Sequence, residues 1–313
     1  MNRIDISIII PTLNAEKTIG RLINKIHQQT ILPMEIIILD SSSCDRTAIM
    51  ASSLGCKVIS IERRSFDHGG TRDLGARQAS GSILVFMTQD AIPYDNTLIK
   101  NLVEPLSNEE VAASFARQIA APGSNPPETF SRMFNYPPES QQKTKEDIAV
   151  LGIKAFFFSN VCAAIKRSEY LKVGGFPRHI IMNEDMIIAA KLLMAGYKIA
   201  YKADALVWHS HNYSIPSYFK RYFDIGAALS MNRWILDNVK TENEGIKFIK
   251  EQLNYLINNH YWYWIPYTLT LSLAKYTGYK LGLFQNILPT DFKIALSMNK
   301  TFWTKRGYND GEG

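Results

Sequence analysis

The sequence of 313 residues is poor in cysteine, with only Cys44, Cys56 and Cys162. An odd number of cysteines without a CxxC pair argues against a disulfide framework or a cysteine-based zinc site, and it fits a reducing compartment. The chain also lacks a run of about 20 uncharged apolar residues, so no conventional membrane span is expected. Its first apolar run, residues 4–10, is too short for the core of a secretion signal.

The common phosphate-binding motifs are absent as well. No GxGxxG follows the first apolar run, and neither GxxxxGK[ST] nor HExxH occurs in the chain. These absences argue against a nicotinamide-dependent dehydrogenase, a P-loop nucleotidase and a zinc protease. Lys and Arg number 35 against 29 Asp and Glu, which gives a net charge of +6, and the basic residues are scattered. That pattern permits an anionic ligand or membrane surface and argues against nucleic-acid binding.

Short apolar runs alternate with segments of helical periodicity over the first 90 residues. Strands separated by helices are typical of βαβ units, so the pattern predicts an α/β fold with a mainly parallel sheet. Asn14 stands at the N-cap position of the first predicted helix, and Asp45 and Gly55 flank the second. The predicted strands are residues 4–10, 35–39, 57–61 and 82–87, and the predicted helices are 15–29, 46–54 and 71–80.

Beyond residue 120 the regular alternation stops. Residues 121–145 are rich in Pro, Ser, Asn and Gln, which indicates a long loop or an insertion. From residue 216 onwards helical patterns dominate. The predicted strands in this part are 155–159, 198–201 and 205–208, and the predicted helices are 184–195, 217–238, 242–259 and 262–285.

Polar residues follow three of the predicted strands, at the carboxyl ends where open parallel sheets bind ligands. Asp40 and Asp90 end two buried strands on the same edge of the sheet. Either carboxylate alone could cap a neighbouring loop or helix, but two at equivalent positions favour a shared site. A divalent cation on Asp90 could hold a diphosphate there without a glycine-rich loop, because hard cations bind carboxylate and phosphate oxygens together.

Four segments occur in an order and spacing that resemble the inverting family 2 glycosyltransferases. These are IIIPTLN, IIILDSSSCDRT, GSILVFMTQDA and NEDMIIAAKLLMAGY. Two further segments, SFDHGGTRDLGARQASG and SNVCAAIKRSEYLKVGGFP, resemble the bacterial rhamnosyltransferase branch. The resemblance implies a GT-A fold, which is Rossmann-like with helices on a mainly parallel sheet. The catalytic domain would be residues 1–215, with a nucleotide-sugar half of about 1–120 and an acceptor half of about 121–215, followed by a helical, aromatic-rich region over 216–313.

The resemblance also implies a nucleotide-sugar site. Asp40 would accept the nucleobase imide N–H, and Arg72 would contact the diphosphate, because a planar guanidinium suits phosphate oxygens. The alternative for Arg72 is a surface position on a helix. Gln89 occupies the place of the first acid of the family's DxD motif, which leaves Asp90 as its charged residue. The residues around the base and ribose would be Pro11, Thr12 and Asn14.

A divalent metal ion, Mg²⁺ or Mn²⁺, is implied as cofactor, with Asp90 and one histidine as ligands. His209 directly follows the predicted strand 205–208, at the family's metal-histidine position. His211 is the alternative ligand, since side chains at i and i+2 of a strand point the same way.

Asp185 is the implied catalytic base. It would take the proton from the acceptor hydroxyl as that oxygen attacks the anomeric carbon, in one displacement with inversion. Glu184 and Asn160 would contact the acceptor. The alternative is that Glu184 and Asp185 only stabilise the N-terminus of the helix that they begin.

The expected function is transfer of a sugar, L-rhamnose from dTDP-rhamnose, to a hydroxyl of a cell-surface polysaccharide or a lipid-linked oligosaccharide precursor. The alternatives are a UDP- or GDP-sugar donor and a non-catalytic nucleotide-binding scaffold of a polysaccharide assembly complex. The aromatic residues of 216–313 indicate either helices packed on the catalytic domain or an interfacial surface. The expected location is the cytoplasm, with peripheral contact at the inner face of the cell membrane, and no nucleic-acid partner is expected.

Overall fold

A computed structural model of the chain describes residues 5–237 and 244–309. Within these residues nine strands form a sheet: β1 (Ile6–Thr12), β2 (Glu35–Asp40), β3 (Lys57–Ser60), β4 (Ile83–Met87), β5 (Ile92–Pro93), β6 (Val111–Ile119), β7 (Gln141–Lys143), β8 (Cys162–Lys166) and β9 (Lys198–Trp208). Their order is β3-β2-β1-β4-β8-β6-β9-β5, with β7 paired to β9. The first four strands are parallel, as are β6 and β9, and the others run antiparallel to their neighbours. The predicted α/β class with a mainly parallel sheet is confirmed.

Helices connect the parallel strands, and the described residues after β9 form helices and their connections. They are α1 (Glu16–His27), α2 (Thr47–Ser53), α3 (His68–Gln78), α4 (Leu98–Val103), α5 (Pro126–Asn135), α6 (Ile148–Leu151), α7 (Arg167–Lys172), α8 (Glu184–Met194), α9 (Ile215–Met231), α10 (Arg233–Asp237), α11 (Glu244–Asn258), α12 (Ile265–Leu283), α13 (Thr290–Leu296) and α14 (Lys300–Asn309). Among the described residues, none of these helices is long and apolar enough to cross a membrane.

The central strand β1 has helices on both faces, which explains its uninterrupted isoleucines. Ile8 and Ile10 belong to the core cluster that contains Leu22 of α1, and Ile9 belongs to the opposite cluster with Ala76 of α3. Successive side chains of a strand point to opposite faces, so each face of β1 needs its own apolar residues. The continuous apolar run therefore buries β1 between two layers of helices.

The predicted N-cap at Asn14 is wrong. Asn14 has φ +48°, and its amide oxygen accepts a hydrogen bond from the N–H of Cys44, which ties together the loops after β1 and β2. The N-cap of α1 is Ala15. The N-cap of α2 is Arg46 rather than the predicted Asp45, although the Asp45 side chain accepts the N–H of Thr47; the predicted glycine after the helix, Gly55, has φ +81°.

The predicted long loop over 121–145 is also wrong, since α5 and β7 lie within it. Residues 155–159 are not a strand: a 3₁₀ helix spans Gly152–Phe156, and the strand comes later as β8. The two short strands predicted at 198–201 and 205–208 are one continuous strand, β9. The predicted helix 217–238 divides into α9 and α10, while residue 238 and residues 242 and 243 of the next predicted helix lie outside the described residues.

Helices α9 and α12 pack with their backbones in close approach, at three glycines. A Cβ on Gly226 would lie 2.2 Å from the carbonyl oxygen of Tyr279, and one on Gly282 would lie 2.1 Å from that of Phe223. Gly278 would place a Cβ 2.4 Å from another carbonyl oxygen of α9. The absence of side chains at these positions therefore sets the distance between the two helices.

We expect Gly282→Ala to lower the free energy of unfolding by about 1–3 kcal/mol, because the new methyl group would force α9 and α12 apart. Gly245→Ala in α11 is the matched control, since a Cβ there meets no atom within 4 Å. It should be neutral or stabilise the chain by up to about 1 kcal/mol. Urea unfolding of both variants measures the difference, and equal stability of the two would contradict this packing.

The C-terminal segment is fastened to α9 by a buried carboxylate. Asp224 accepts hydrogen bonds from the backbone N–H groups of Met298 and Asn299 and from the Asn299 side chain. The Asn299 side chain also donates to the carbonyl oxygen of Ile181. These contacts hold the residues between α13 and α14 next to the segment that leads into α8.

Candidate active site

A cleft of about 1900 Å³ opens at the carboxyl ends of β1 and β4. The start of α8, the turn after β9 and the loop before β8 complete its walls. Ten of the twelve residues predicted from the sequence line this cleft: Pro11, Thr12, Arg72, Gln89, Asp90, Asn160, Glu184, Asp185, His209 and His211.

The other two predicted residues, Asp40 and Asn14, do not line the cleft. Asp40 is buried, and its carboxylate accepts hydrogen bonds from the hydroxyls of Thr12 and Ser43 and from the Ser43 N–H. Asp40 therefore supports the cleft wall through Thr12. The neighbouring residue Ser41 does line the cleft.

Asp90, His209 and His211 form one cluster, with a ligand atom from each within 4.8 Å of the others. The Nε2 atom of each histidine lies 3.7 Å from an oxygen of Asp90. The cause is strand pairing: Ile92 of β5 pairs with Trp208 of β9, which places the residues before β5 next to those after β9. The sequence offered the two histidines as alternatives, and the structure brings both of them to Asp90.

This donor set fits a divalent metal ion. One carboxylate and two imidazoles are common ligands of divalent first-row metals. Burial first and the nearby Arg132 charge second hold the pKa of His209 well below its ordinary value. The ring is therefore neutral near pH 7, and the neutral ring is the form that binds metals.

Gln89 lines the cleft, and its side-chain amide is hydrogen-bonded to the backbone of Leu13. Its side-chain oxygen accepts the Leu13 N–H at 2.8 Å, and its amide nitrogen donates to the Leu13 carbonyl at 3.2 Å. An acid at this position could not donate the second hydrogen bond. The glutamine thus joins the loop after β4 to the loop after β1.

Arg72 and Glu184 form a buried ion pair at the floor of the cleft, with Nη1 and Oε1 3.2 Å apart. Burial alone would raise the pKa of Glu184, but the charges of Arg72 and His68 hold it below its usual range. Asn160 donates a hydrogen bond to the same carboxylate. Arg72 is therefore not the surface residue that the alternative interpretation described.

Asp185 has the opposite electrostatic environment. Burial first and the negative charge of Glu184 second raise its pKa to about 7. The preceding residue, Asn183, has φ +66°, a conformation that non-glycine residues seldom adopt and that is concentrated at functional sites. Two adjacent carboxyls with pKa values shifted apart are typical of acid–base sites.

Several buried polar atoms that face this cleft have no hydrogen-bond partner among the described residues. Buried polar groups are nearly always paired, so a cluster of exceptions indicates where a polar ligand binds. The atoms are Ser41 Oγ, Arg72 Nε, Thr88 Oγ1, Asn160 Oδ1 and Asn183 Nδ2.

Sequence reasoning missed the part of the site contributed by β6, α5 and the C-terminal segment. Gln118 at the end of β6 contacts His209, and Arg132 of α5 contacts Gln118. Asn299, which precedes α14, and Lys300 at the start of α14 also line the cleft. A signal for α5 was present, because Asn125 followed by proline is typical of a helix N-terminus.

Together, the mixed sheet, the acids at its carboxyl edge and the Asp–His cluster define a GT-A-type glycosyltransferase. The profile described as Glycosyl transferase family 2 matches residues 7–174, and the chain belongs to this family. It is 41% identical over 310 residues to the O-antigen chain rhamnosyltransferase RfbN of Salmonella typhimurium, covering 98% of both chains. It is 40% identical over 309 residues to the O-antigen chain rhamnosyltransferase WbaN of Salmonella anatum, again covering 98% of both. The resemblance seen in the sequence is confirmed.

Solved structures support the fold. The S. aureus TarS fragment 1–349 in complex with UDP-GlcNAc superposes with a TM-score of 0.58 at 18% identity, covering 98% of this chain and 92% of that one. The mannosyltransferase PcManGT from Pyrobaculum calidifontis, in complex with GDP-Man and Mn²⁺, superposes with a TM-score of 0.55 at 19% identity, covering 96% and 83%. The predicted GT-A fold is confirmed.

Proposed function

We propose that the chain is an inverting rhamnosyltransferase that moves L-rhamnose from dTDP-rhamnose to a hydroxyl of an O-antigen-type polysaccharide or its lipid-linked precursor. The observation that carries this proposal is the 40–41% identity, over 98% of the chain, to two O-antigen chain rhamnosyltransferases. The cleft supports it, because a carboxyl with a raised pKa and a metal-type cluster line the same space.

Asp185 acts as the general base in this proposal. A base works best when its pKa lies near the working pH, and burial beside Glu184 moves the Asp185 carboxyl in that direction. Glu184 and Asn160 are hydrogen-bonded to each other in the cleft. In this proposal they contact the acceptor. No covalent enzyme intermediate is needed, since one displacement inverts the anomeric carbon.

Asp90, His209 and His211 would hold Mg²⁺ or Mn²⁺ next to the diphosphate of the donor. When bound, the ion supplies charge neutralisation for the departing nucleoside diphosphate. Arg72 adds a fixed positive charge, and its Nε atom has no hydrogen-bond partner among the described residues. Asp40 and Gln89 keep the loops after β1 and β2 in place, and Pro11 and Thr12 form the adjoining wall.

The acid limb of the activity profile follows from the raised pKa of Asp185. Protonation removes the base, so kcat/KM should fall about tenfold per pH unit once the pH drops below the pKa of Asp185, about 7. The measurement is kcat/KM at saturating Mn²⁺ from about pH 5 to about pH 8.5, with tryptophan fluorescence to verify that the chain stays folded. A flat profile over this range would contradict the assignment.

A panel of nucleotide sugars tests the donor. A ligand that binds only the folded state raises the melting temperature, so dTDP-rhamnose with Mn²⁺ should stabilise the chain more than UDP-glucose or GDP-mannose. Release of dTDP from dTDP-rhamnose then distinguishes a catalyst from a nucleotide-binding scaffold. If only UDP-glucose or GDP-mannose stabilised the chain, the proposed donor would be wrong. If dTDP-rhamnose bound without release of dTDP, the chain would be a nucleotide-binding scaffold rather than a catalyst.

The C-terminal helices provide a surface for peripheral contact with the inner face of the membrane. Trp and Tyr favour the headgroup region, and lysines interact with anionic lipid. Lys280 is exposed and lies over the exposed Tyr276 ring of α12, whereas Lys275 packs against the half-buried Tyr218 of α9. Within residues 262–292, the large apolar side chains exposed by 47% or more are Trp262, Tyr263, Leu269, Leu273, Tyr276, Phe284, Ile287 and Phe292.

Flotation of the full chain with vesicles that contain phosphatidylglycerol tests this contact. We expect Trp262→Ser combined with Leu273→Ser to reduce the floated fraction several-fold, because both side chains are more than 60% exposed. Leu32→Ser with Ile49→Ser is the matched control, since these apolar side chains are equally exposed on the N-terminal half. If both double variants floated less, or if neither did, the result would count against a membrane-binding surface on the C-terminal helices.

A further inference from the structure

A buried hydrogen-bond network lies behind the Asp90–His209–His211 cluster, and Gln118 is its centre. The Gln118 side-chain oxygen lies 2.8 Å from Nδ1 of His209 and also accepts a hydrogen bond from Nη1 of Arg132. The Gln118 amide nitrogen donates to the hydroxyls of Tyr136 and Ser159. Gln118 is 2% exposed, so these contacts are shielded from water.

The network determines which way the Gln118 amide points. A guanidinium can only donate, so the atom of Gln118 that faces Arg132 must be the oxygen. The same oxygen faces Nδ1 of His209, which must then carry a hydrogen to make the contact. The Nε2 atom of His209 then carries no hydrogen, and its lone pair faces the Asp90 carboxylate, 3.7 Å away.

Helix α5 holds this arrangement from outside. The buried Glu128 forms an ion pair with the half-buried Arg132 at 2.6 Å, which fixes the guanidinium that faces Gln118. The same carboxylate accepts the backbone N–H of His211 at 3.3 Å, and its other oxygen accepts the hydroxyl of Tyr218. One ion pair therefore supports the ring of the first histidine and the backbone of the second.

We infer that Gln118 is a positioning residue that fixes the tautomer of His209, so that Nε2 is free to bind a divalent cation together with Asp90. An unprotonated nitrogen facing a carboxylate is repelled by it unless a cation lies between them. Partners behind a metal-binding histidine fix its ring and tautomer, and their loss typically weakens metal binding about 10–100-fold. The inference rests on the metal site in the proposed function.

Two variants separate the acceptor role of Gln118 from its bulk. Gln118→Glu keeps an oxygen facing both His209 and Arg132, whereas Gln118→Leu removes it at similar size. We expect the leucine variant to bind Mn²⁺ about 10–100-fold more weakly by calorimetry, and the glutamate variant to bind at least as tightly as the parent chain. Ser159→Ala is the matched control, because it removes a partner of the Gln118 nitrogen and leaves the oxygen contacts intact.

The tautomer itself is read by ¹⁵N imidazole spectra of the metal-free chain, with His209 assigned from its loss in His209→Ala. The parent and Gln118→Glu should show hydrogen on Nδ1, and Gln118→Leu a mixture of the two tautomers. If Gln118→Leu kept both the Nδ1–H tautomer and the Mn²⁺ affinity of the parent chain, the inference would be overturned. It would also be overturned if a folded Gln118→Glu lost both the tautomer and the affinity. The glutamate variant therefore provides the test even if the leucine variant does not fold. If the parent binds no Mn²⁺, the metal site fails, while the spectra still decide the role of Gln118.

Discussion

Asp185→Asn is expected to lower the rate of sugar transfer by about 10²–10⁴-fold, because general-base catalysis contributes about that much and an amide cannot accept the proton. The substitution keeps the size of the side chain, and an amide oxygen can still accept the N–H of Met186, as Asp185 does at 2.8 Å. Binding of dTDP, measured by calorimetry, should therefore change by less than about threefold.

A matched control for this substitution is Asp95→Asn, in the loop before α4. Asp95 also accepts a backbone N–H, that of Thr97 at 2.8 Å, and it does not line the cleft. The control should keep full activity. If Asp185→Asn transferred sugar at the parent rate, the general base would have to be another residue. The adjacent carboxyl, Glu184, would then be the next candidate.

Asp90→Asn is expected to have the second-largest effect, a loss of transfer of about 10³-fold. A catalytic metal contributes several kcal/mol of charge stabilisation, and each 1.36 kcal/mol corresponds to about tenfold in rate. The variant should also lose calorimetric Mn²⁺ binding, because the carboxylate is the one charged member of the cluster when both imidazoles are neutral.

The decisive comparison for Asp90 is with the parent chain in EDTA. If Asp90 acts through the ion, removing the ion and removing the carboxylate should slow transfer to the same extent, and EDTA should have no further effect on the variant. Additive losses from EDTA and Asp90→Asn would contradict the metal-ligand role. His211→Ala should behave like Asp90→Asn in direction.

The N-terminal half of the fold could be predicted from sequence because its signals are local. The β-branched run of β1 and the helical spacing of α1 each specify one element, and their alternation specifies a parallel sheet. β6 was missed because its residues 112, 113 and 116 are alanines, which carry little strand signal. The prolines at 126 and 127 obscured α5, although proline is favoured in the first turn of a helix.

The site was predicted in part for the same reason. Asp90 and the histidines follow strands and Asp185 begins a helix, so the resemblance could place them at one edge of the sheet. The pairing of β5 with β9, which brings both histidines to Asp90, depends on contacts more than 100 residues apart in the chain. The internal hydrogen bonds of Asp40 and the network of Gln118 likewise arise only after the sheet has formed.

Crystals of the chain grown with Mn²⁺ and dTDP would show where the ion binds, because anomalous scattering locates manganese. We expect a manganese peak in coordination with Asp90, His209 and His211, with a diphosphate oxygen of dTDP on the same ion. A manganese peak elsewhere, or a nucleotide bound outside the cleft beside Asp185, would contradict this expectation.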